Sequence, residues 1–215
     1  AIKSHLSIWI DCHSRYVVEG RYYFRENLDV LIDSLLRAWG AHGASRQLYV
    51  DNAKVYHSRG LQLACTHLNI ELLHRPPRDP SPGGLVERVI QTTQDQFETE
   101  VRAGNILTLS ELNRYYLAWL HRDYHITTHS QTGQTPQARY EQANRFRRHV
   151  NLAEVREFFH VRERRKVDLE FSDVRVKNRF YLVDPKLRGE WVIVSYDTFS
   201  SGEEVRLTSE HGIYL

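Results

Sequence analysis

The sequence predicts a mixed α/β sheet with helices on its faces, followed by a small all-β barrel. Two observations carry this. Up to about residue 150, short β-branched or aromatic runs alternate with stretches whose apolar residues recur every three or four positions. From about Val161 the apolar period changes to two, and turn residues recur every eight to twelve positions. The expected division is a core over residues 1–142, a basic helical linker over 143–160 and a barrel over 161–215.

The elements follow in order. "HLSIWID" and "RYVVEGRYYF" read as two strands separated by the turn-like "CHS". Leu28, Leu31, Ile32, Leu35, Leu36 and Trp39 then make one helical face, with Asn27 as N-cap and Gly40 as the stop. "QLYV" is a short buried strand that ends at Asp51. A helix over Arg59–Leu68 and a strand in "NIELLH" come next. "RPPRDPSPGG" has four prolines and two glycines, which exclude regular structure and predict a mobile loop. In "LVERVIQTTQDQF" the residues Leu85, Val86, Val89, Ile90 and Phe97 form another helical face. A second long helix, "TLSELNRYYLAWLHRDYH", opens with capping-box spacing between Thr108 and Glu111. Its stripe is Leu112, Tyr115, Tyr116, Trp119 and Leu120, with the aromatics read as core. Thr135 and Pro136 suit the start of a short helix through Tyr140. In the β region Val167, Leu169 and Phe171 alternate, as do Val174 and Val176, and "EWVIVSY", "EEVRLT" and "GIYL" supply later strands.

Composition bounds the function. No apolar run reaches the roughly 20 residues of a membrane-spanning helix, and no cleavable leader pattern opens the chain. The two cysteines, Cys12 and Cys65, lack CxxC spacing, which excludes a cysteine-rich zinc site and a disulfide framework. A reducing, cytoplasmic setting follows. The net charge of +2 hides an asymmetry: residues 139–166 carry nine basic and four acidic residues, whereas residues 1–138 are balanced. Such an excess suits a polyanion as well as a solvated helix face.

Sites in open α/β sheets form at the carboxyl ends of strands. Asp51 stands at such an end, and Glu87 is expected in the first turn of the helix after the Pro/Gly stretch. Thirty-five residues separate them. Two carboxylates in this context suit Mg²⁺, a hard cation often held by one or two carboxylates, water and substrate phosphate. The plainer readings are a turn cap for Asp51 and a dipole-favoured first-turn position for Glu87. His121 and His125 have metal-compatible spacing but no evident third ligand.

"IDCHSRYVVEG", "YVDNAKVY", "PSPGGLVERVIQTT" and "HSQTGQTPQARYE" together resemble the DDE integrase/transposase superfamily, over roughly residues 2–142. The segment "RERRKVDLEFSDVRVKNRFYLVDPKLRGEWVIVSYDTFSSGEEVRL" is similar to the β-barrel that follows the core in phage Mu transposase and TnsB-like transposases. The resemblance implies a ribonuclease H-like fold and metal-dependent cleavage and joining of DNA ends by in-line phosphoryl transfer. It makes Asp51 and Glu87 the second and third members of an acidic triad holding Mg²⁺ or Mn²⁺, two ions in the complete enzyme. The first member belongs on a strand that would precede "HLSIWID". Asp11 matches an "IDxxSR" aspartate that is not normally catalytic, which leaves two readings: a chain lacking that first strand and nearly inactive by itself, which is the expectation, or Asp11 in the first member's place. Asn52, Lys54, Arg88 and Gln91 are candidate DNA contacts near the carboxylates. Arg145, Arg147, Arg148, Arg162, Arg164, Arg165 and Lys166 are candidate DNA-backbone contacts. Implied partners are double-stranded DNA, further copies of the chain on that DNA, and an ATPase target selector, with no membrane, in the bacterial cytoplasm at the nucleoid. Rival readings are a non-catalytic DNA-binding or assembly module and a ribonuclease H-like nuclease.

Overall fold

The computed structural model describes residues 3–76, 83–104, 108–143, 147–197 and 205–209. The chain divides into two compact units, residues 1–152 and 153–215.

In the first unit β1 (His5–Ile10) and β2 (Val17–Tyr23) form an antiparallel hairpin. Side chains alternate across a strand, so Leu6, Ile8 and Ile10 pack on one face while Trp9 serves the other. The first face meets the cluster of Val17, Tyr22, Val89, Phe97, Tyr116, Trp119, Leu120 and Tyr124. On the second, Trp9 Nε1 donates to Ser34 Oγ at 2.9 Å, tying the hairpin to α1 (Leu28–His42). Asn27 caps α1 by accepting the Val30 N–H. The helix does not stop at Gly40, as its sequence suggested. It continues to His42 and ends at Gly43, whose φ of +76° turns the chain while its N–H reaches Trp39 O at 2.8 Å.

β3 (Gln47–Val50) pairs in parallel with β4 (Glu71–His74), joined by a 3₁₀ turn (Lys54–His57) and α2 (Arg59–His67). Among the described residues β1 and β2 form one ladder and β3 and β4 another. The expected single mixed sheet is thus drawn as two small ones, because no described strand bridges β1 and β3. Of the Pro/Gly stretch over residues 75–84, residues 77–82 lie outside the described residues, while Gly83 and Gly84, expected in the loop, open the next helix.

α3 (Gly83–Thr92) runs through a π-helical turn (Thr93–Glu98) into α4 (Thr99–Ala103). Val89 and Phe97 both reach the core across that wide turn. α5 (Leu109–Trp119) has the expected capping box between Thr108 and Glu111, and a second π-helical turn (Leu120–Tyr124) follows. Tyr116 and Trp119 are buried as read, but Tyr115 is 48% exposed. It sits one position off the buried stripe, where Arg114 covers its ring. α6 (Pro136–Gln142) starts at Thr135 and Pro136 as predicted. No helix among the described residues is long and apolar enough to cross a membrane.

The second unit begins with α7 (Leu152–Glu157), whose first residue still belongs to the first unit. β5 (Val161–Lys166), β8 (Trp191–Tyr196) and β9 (Val205–Ser209) form an antiparallel sheet, and β6 (Asp173–Val176) and β7 (Arg179–Leu182) a hairpin. Val167, Val174, Val176, Val192, Val194 and Tyr196 make their common core. Among the described residues the ladders do not close into a ring, so the expected barrel is observed as two small sheets. Leu169 and Phe171 are not strand residues. Asp168 Oδ1 accepts the N–H groups of Glu170 and Phe171, turning the chain and leaving both apolar side chains outside. The strand expected in "GIYL" lies outside the described residues.

Candidate functional site

The parallel pairing of β3 and β4 ends at Val50 and His74, with the Arg75 N–H donating to Val50 O at 2.8 Å. Asp51 emerges one residue beyond, exposed. Its Oδ1 accepts the Ala53 N–H at 2.7 Å, a local turn that fixes the carboxylate and leaves its second oxygen for another partner. Asn52 is exposed too, and its Nδ2 donates to Arg75 O at 2.6 Å, tying the two strand ends together. Lys54 is exposed at the start of the 3₁₀ turn.

Two histidines not anticipated from the sequence share this end of the sheet. The rings of His57 and His74 stack at 4.2 Å, and His74 Nδ1 lies 3.4 Å from Asp51 O. His74 ends its strand in register with Val50, the residue before Asp51, a pairing that local sequence does not signal. Tyr56 stands nearby, its ring edge-on to Trp9. Burial, then the carboxylates of Asp51 and Glu26, raise its phenol above the ordinary range.

Glu87 is exposed on α3. Because that helix begins at Gly83, Glu87 stands at the fifth position and not in the first turn, so the helix dipole gives no special reason for an acid there. Arg88 is exposed beside it, as is Gln91 one turn on. The His129 imidazole is pushed below its usual value by burial and then by the cations of Arg15, Arg88 and Arg139. Arg139 also donates to His13 O at 3.1 Å, and the Arg15 guanidinium to Cys12 O.

Asp11 has a different task. Its Oδ2 accepts from the Ser14 N–H at 2.7 Å and from Ser14 Oγ at 2.5 Å, while its backbone pairs with Tyr16 and Arg15. The carboxylate is the staple of the β1–β2 turn. Among the described residues no group of three or more His, Cys, Asp or Glu is placed to hold a metal ion. Asp51 and Glu87 are hard oxygen donors in exposed positions, and so suit Mg²⁺ as partial ligands.

The basic residues beyond 143 separate by location. Arg147 lies over the Tyr140 ring at 4.2 Å, ending a stack in which Tyr16 packs between Tyr140 and His125. Arg148 donates to Leu68 O at 2.6 Å and also to Ser45 O. Arg165 faces the Glu163 carboxylate and Arg175 O. Arg162, Arg164 and Lys166 alternate on the exposed side of β5. Arg145 lies outside the described residues. His125, on whose spacing with His121 a metal pair was considered, is buried and accepts the Val17 N–H at Nε2.

The first unit is thus a mixed α/β core with an exposed carboxylate, Asp51, at a strand end and a second, Glu87, exposed on α3. Comparison with known proteins agrees. The family model of the TnsB C-terminal domain matches residues 18–102. The catalytic core domain of HTLV-2 integrase, solved in complex with magnesium in a trimeric form, superposes with a TM-score of 0.52 at 20% identity, covering 64% of this chain and 84% of that one. The BIV integrase catalytic core domain gives 0.53 at 18% identity, covering 67% and 90%. An intasome of simian T-cell lymphotropic virus in complex with the PP2A regulatory subunit B56 gamma gives 0.57 at 18% identity, covering 96% and 70%. No curated protein matches the sequence. The fold is that of integrase catalytic cores, and together with the family match it supports the transposase/integrase superfamily.

Proposed function

We propose that the chain is part of a DNA transposase or integrase that cleaves DNA ends and joins them to target DNA by in-line phosphoryl transfer. The observation that carries this reading is the position of Asp51: exposed, one residue past a partly buried parallel strand, with one oxygen fixed by its own turn. Asp51 and Glu87 would hold Mg²⁺ or Mn²⁺, two ions in the complete enzyme. Bound there, the metal supplies Lewis-acid activation of water or a 3′-hydroxyl and neutralises charge on the phosphoryl oxygens.

The chain's own residues position and attract. Asn52 holds the strand ends that carry Asp51. Arg88, with Arg15 and Arg139 nearby, offers cations to DNA phosphates beside Glu87, and Lys54 and Gln91 extend that surface. Asp11 does not complete the acidic set, because its carboxylate is committed to the turn at Ser14. By itself the chain is therefore expected to bind DNA and join it poorly. Further copies of the chain on DNA and an ATPase target selector belong to the same proposal, as does a division into core, basic linker and barrel.

The test is a strand-transfer assay of the full natural polypeptide containing this chain, with Mg²⁺ or Mn²⁺ and a DNA end substrate. Joined products are expected from the wild type and none from Asp51→Asn or Glu87→Gln. Undiminished joining by Asp51→Asn would overturn the site. Cleavage without joining would indicate a nuclease, and binding with neither an assembly module.

A further inference from the structure

The segment that carries Asp51 is held largely from outside itself. It leaves β3 after four strand residues, and Asp51, Asn52, Ala53 and Lys54 are all exposed. The 3₁₀ turn that follows buries none of its residues and has no side-chain cap. Its own hydrogen bonds are turn bonds: the Ala53 N–H donates to Asp51 Oδ1, the Tyr56 N–H to Ala53 O and the Ser58 N–H to Val55 O. A short 3₁₀ turn is marginal by itself, and ordering exposed backbone costs conformational entropy.

The end of β4 supplies the constraint. The Arg75 N–H donates to Val50 O at 2.8 Å, and the Arg75 carbonyl accepts from Asn52 Nδ2 at 2.6 Å. His74 Nδ1 lies 3.4 Å from Asp51 O. At the far end of the segment the His57 ring lies on the His74 ring, with 4.2 Å between centroids and 6° between planes. Asp51 and His57 therefore meet the same residue of β4, and the loop between them is closed at both ends. A closed loop samples fewer conformations than an open one. Among the described residues neither ring belongs to a group of three or more metal-ligating side chains. The pair acts through its ring faces.

We propose that His57 and His74 form a ring clasp that positions Asp51, by closing the 51–57 segment onto the end of β4. This deepens the metal reading of Asp51 and rests on it for its consequence: a carboxylate held in place binds its cation more tightly than one that must first be ordered. Both rings act through Asp51 and are positioning residues. β4 is the strand that precedes α3, so the clasp ties Asp51 to the stretch of chain that leads to Glu87. A clasp made by ring faces needs a flat ring at position 57, not an imidazole nitrogen.

The experiment takes two readings on the full natural polypeptide containing this chain, at about pH 8, where ordinary imidazoles are neutral. Millisecond hydrogen exchange follows the 51–58 amides without metal, and electron paramagnetic resonance of the free ion follows Mn²⁺ binding. His57→Ala should speed that exchange about fivefold, the size of one ring pair, and weaken Mn²⁺ binding by up to the same factor. His57→Phe, which keeps a flat ring and has no nitrogen, should restore both. His74→Ala, which also loses the contact with Asp51 O, should do at least as much as His57→Ala. His57→Gln replaces an alanine variant that fails to unfold cooperatively. Unchanged exchange in His57→Ala overturns the clasp. So does a His57→Phe variant as weak for Mn²⁺ as His57→Ala, which would give the nitrogen a direct role. A wild type that binds no Mn²⁺ removes the metal reading of Asp51 instead, and the exchange rates then support or overturn the clasp by themselves.

Discussion

Arg148 Nη1 donates to the carbonyl of Leu68 at 2.6 Å, eighty positions earlier in the chain. The same guanidinium reaches Asn69 O and Ser45 O, and the Arg148 carbonyl accepts the Ala44 N–H. One side chain thus satisfies carbonyls at the end of α2 and at the approach to β3. Arg148→Ala should lower stability by about 2 kcal/mol, since charged hydrogen bonds to otherwise orphaned carbonyls are lost. The salt dependence of its DNA binding should match the wild type. Denaturant unfolding and the anisotropy of a labelled DNA duplex check the two halves of this expectation.

Gly43 stands against Arg148. A Cβ there would lie 2.4 Å from the Arg148 carbonyl oxygen, and φ is already +76°. Gly43→Ala should therefore destabilise by more than about 2 kcal/mol. Gly40 makes the instructive contrast. It is inside α1, and its added Cβ would meet the Leu152 Cδ1 methyl, a mobile side-chain end, at 2.9 Å. Alanine gains about 1 kcal/mol of helix propensity, so Gly40→Ala should be near neutral. Thermal midpoints of the two variants decide it.

These glycines show what sequence could and could not deliver. Asn27, Thr108 and Thr135 were legible because each cap needs only a few consecutive residues. The strand-end placement of Asp51 was legible because a four-residue, partly buried strand ends immediately before it. Gly40 and Gly43 look alike in sequence; the difference is a tertiary contact with Arg148. Leu169 and Phe171 alternate like a strand, but Asp168 spends that alternation on a turn. Arg147, Arg148 and Arg165 belong to one basic run, yet their directions depend on carbonyls, rings and carboxylates supplied by the fold. His74 was missed because its value comes from a partner strand more than twenty residues away.

His125 links the core to pH. It is 1% exposed, its Nε2 accepts the Val17 N–H at 3.3 Å, and Tyr16 stacks on it at 3.8 Å. Burial, then His121 and His42, hold its pKa down to about 3, against an ordinary 6.5. The folded state thus refuses a proton that the unfolded state takes up. Stability from this group is complete above pH 6.5 and falls as pH drops toward 3, by about 1.4 kcal/mol per unit. In His125→Gln, which keeps an acceptor for Val17, that slope should disappear. Unfolding free energies across this window measure it.

Asp11 and Asp51 both follow a strand, and their surroundings assign them opposite tasks. Asp11 Oδ2 takes two hydrogen bonds from Ser14 in a half-buried turn, so Asp11→Ala removes a staple. A loss of about 1–2 kcal/mol is expected, as for other capping aspartates. Asp51 is exposed and bonds the Ala53 N–H through one oxygen, a bond that the Asn amide oxygen can repeat. Asp51→Asn should therefore stay within about 0.5 kcal/mol of the wild type, while metal-dependent joining by the full natural polypeptide is lost. Charge is the property changed at position 51, and charge is what a cation requires. Stability measured beside strand transfer separates the cases: a destabilised Asp51→Asn that still joins DNA would reverse the two assignments.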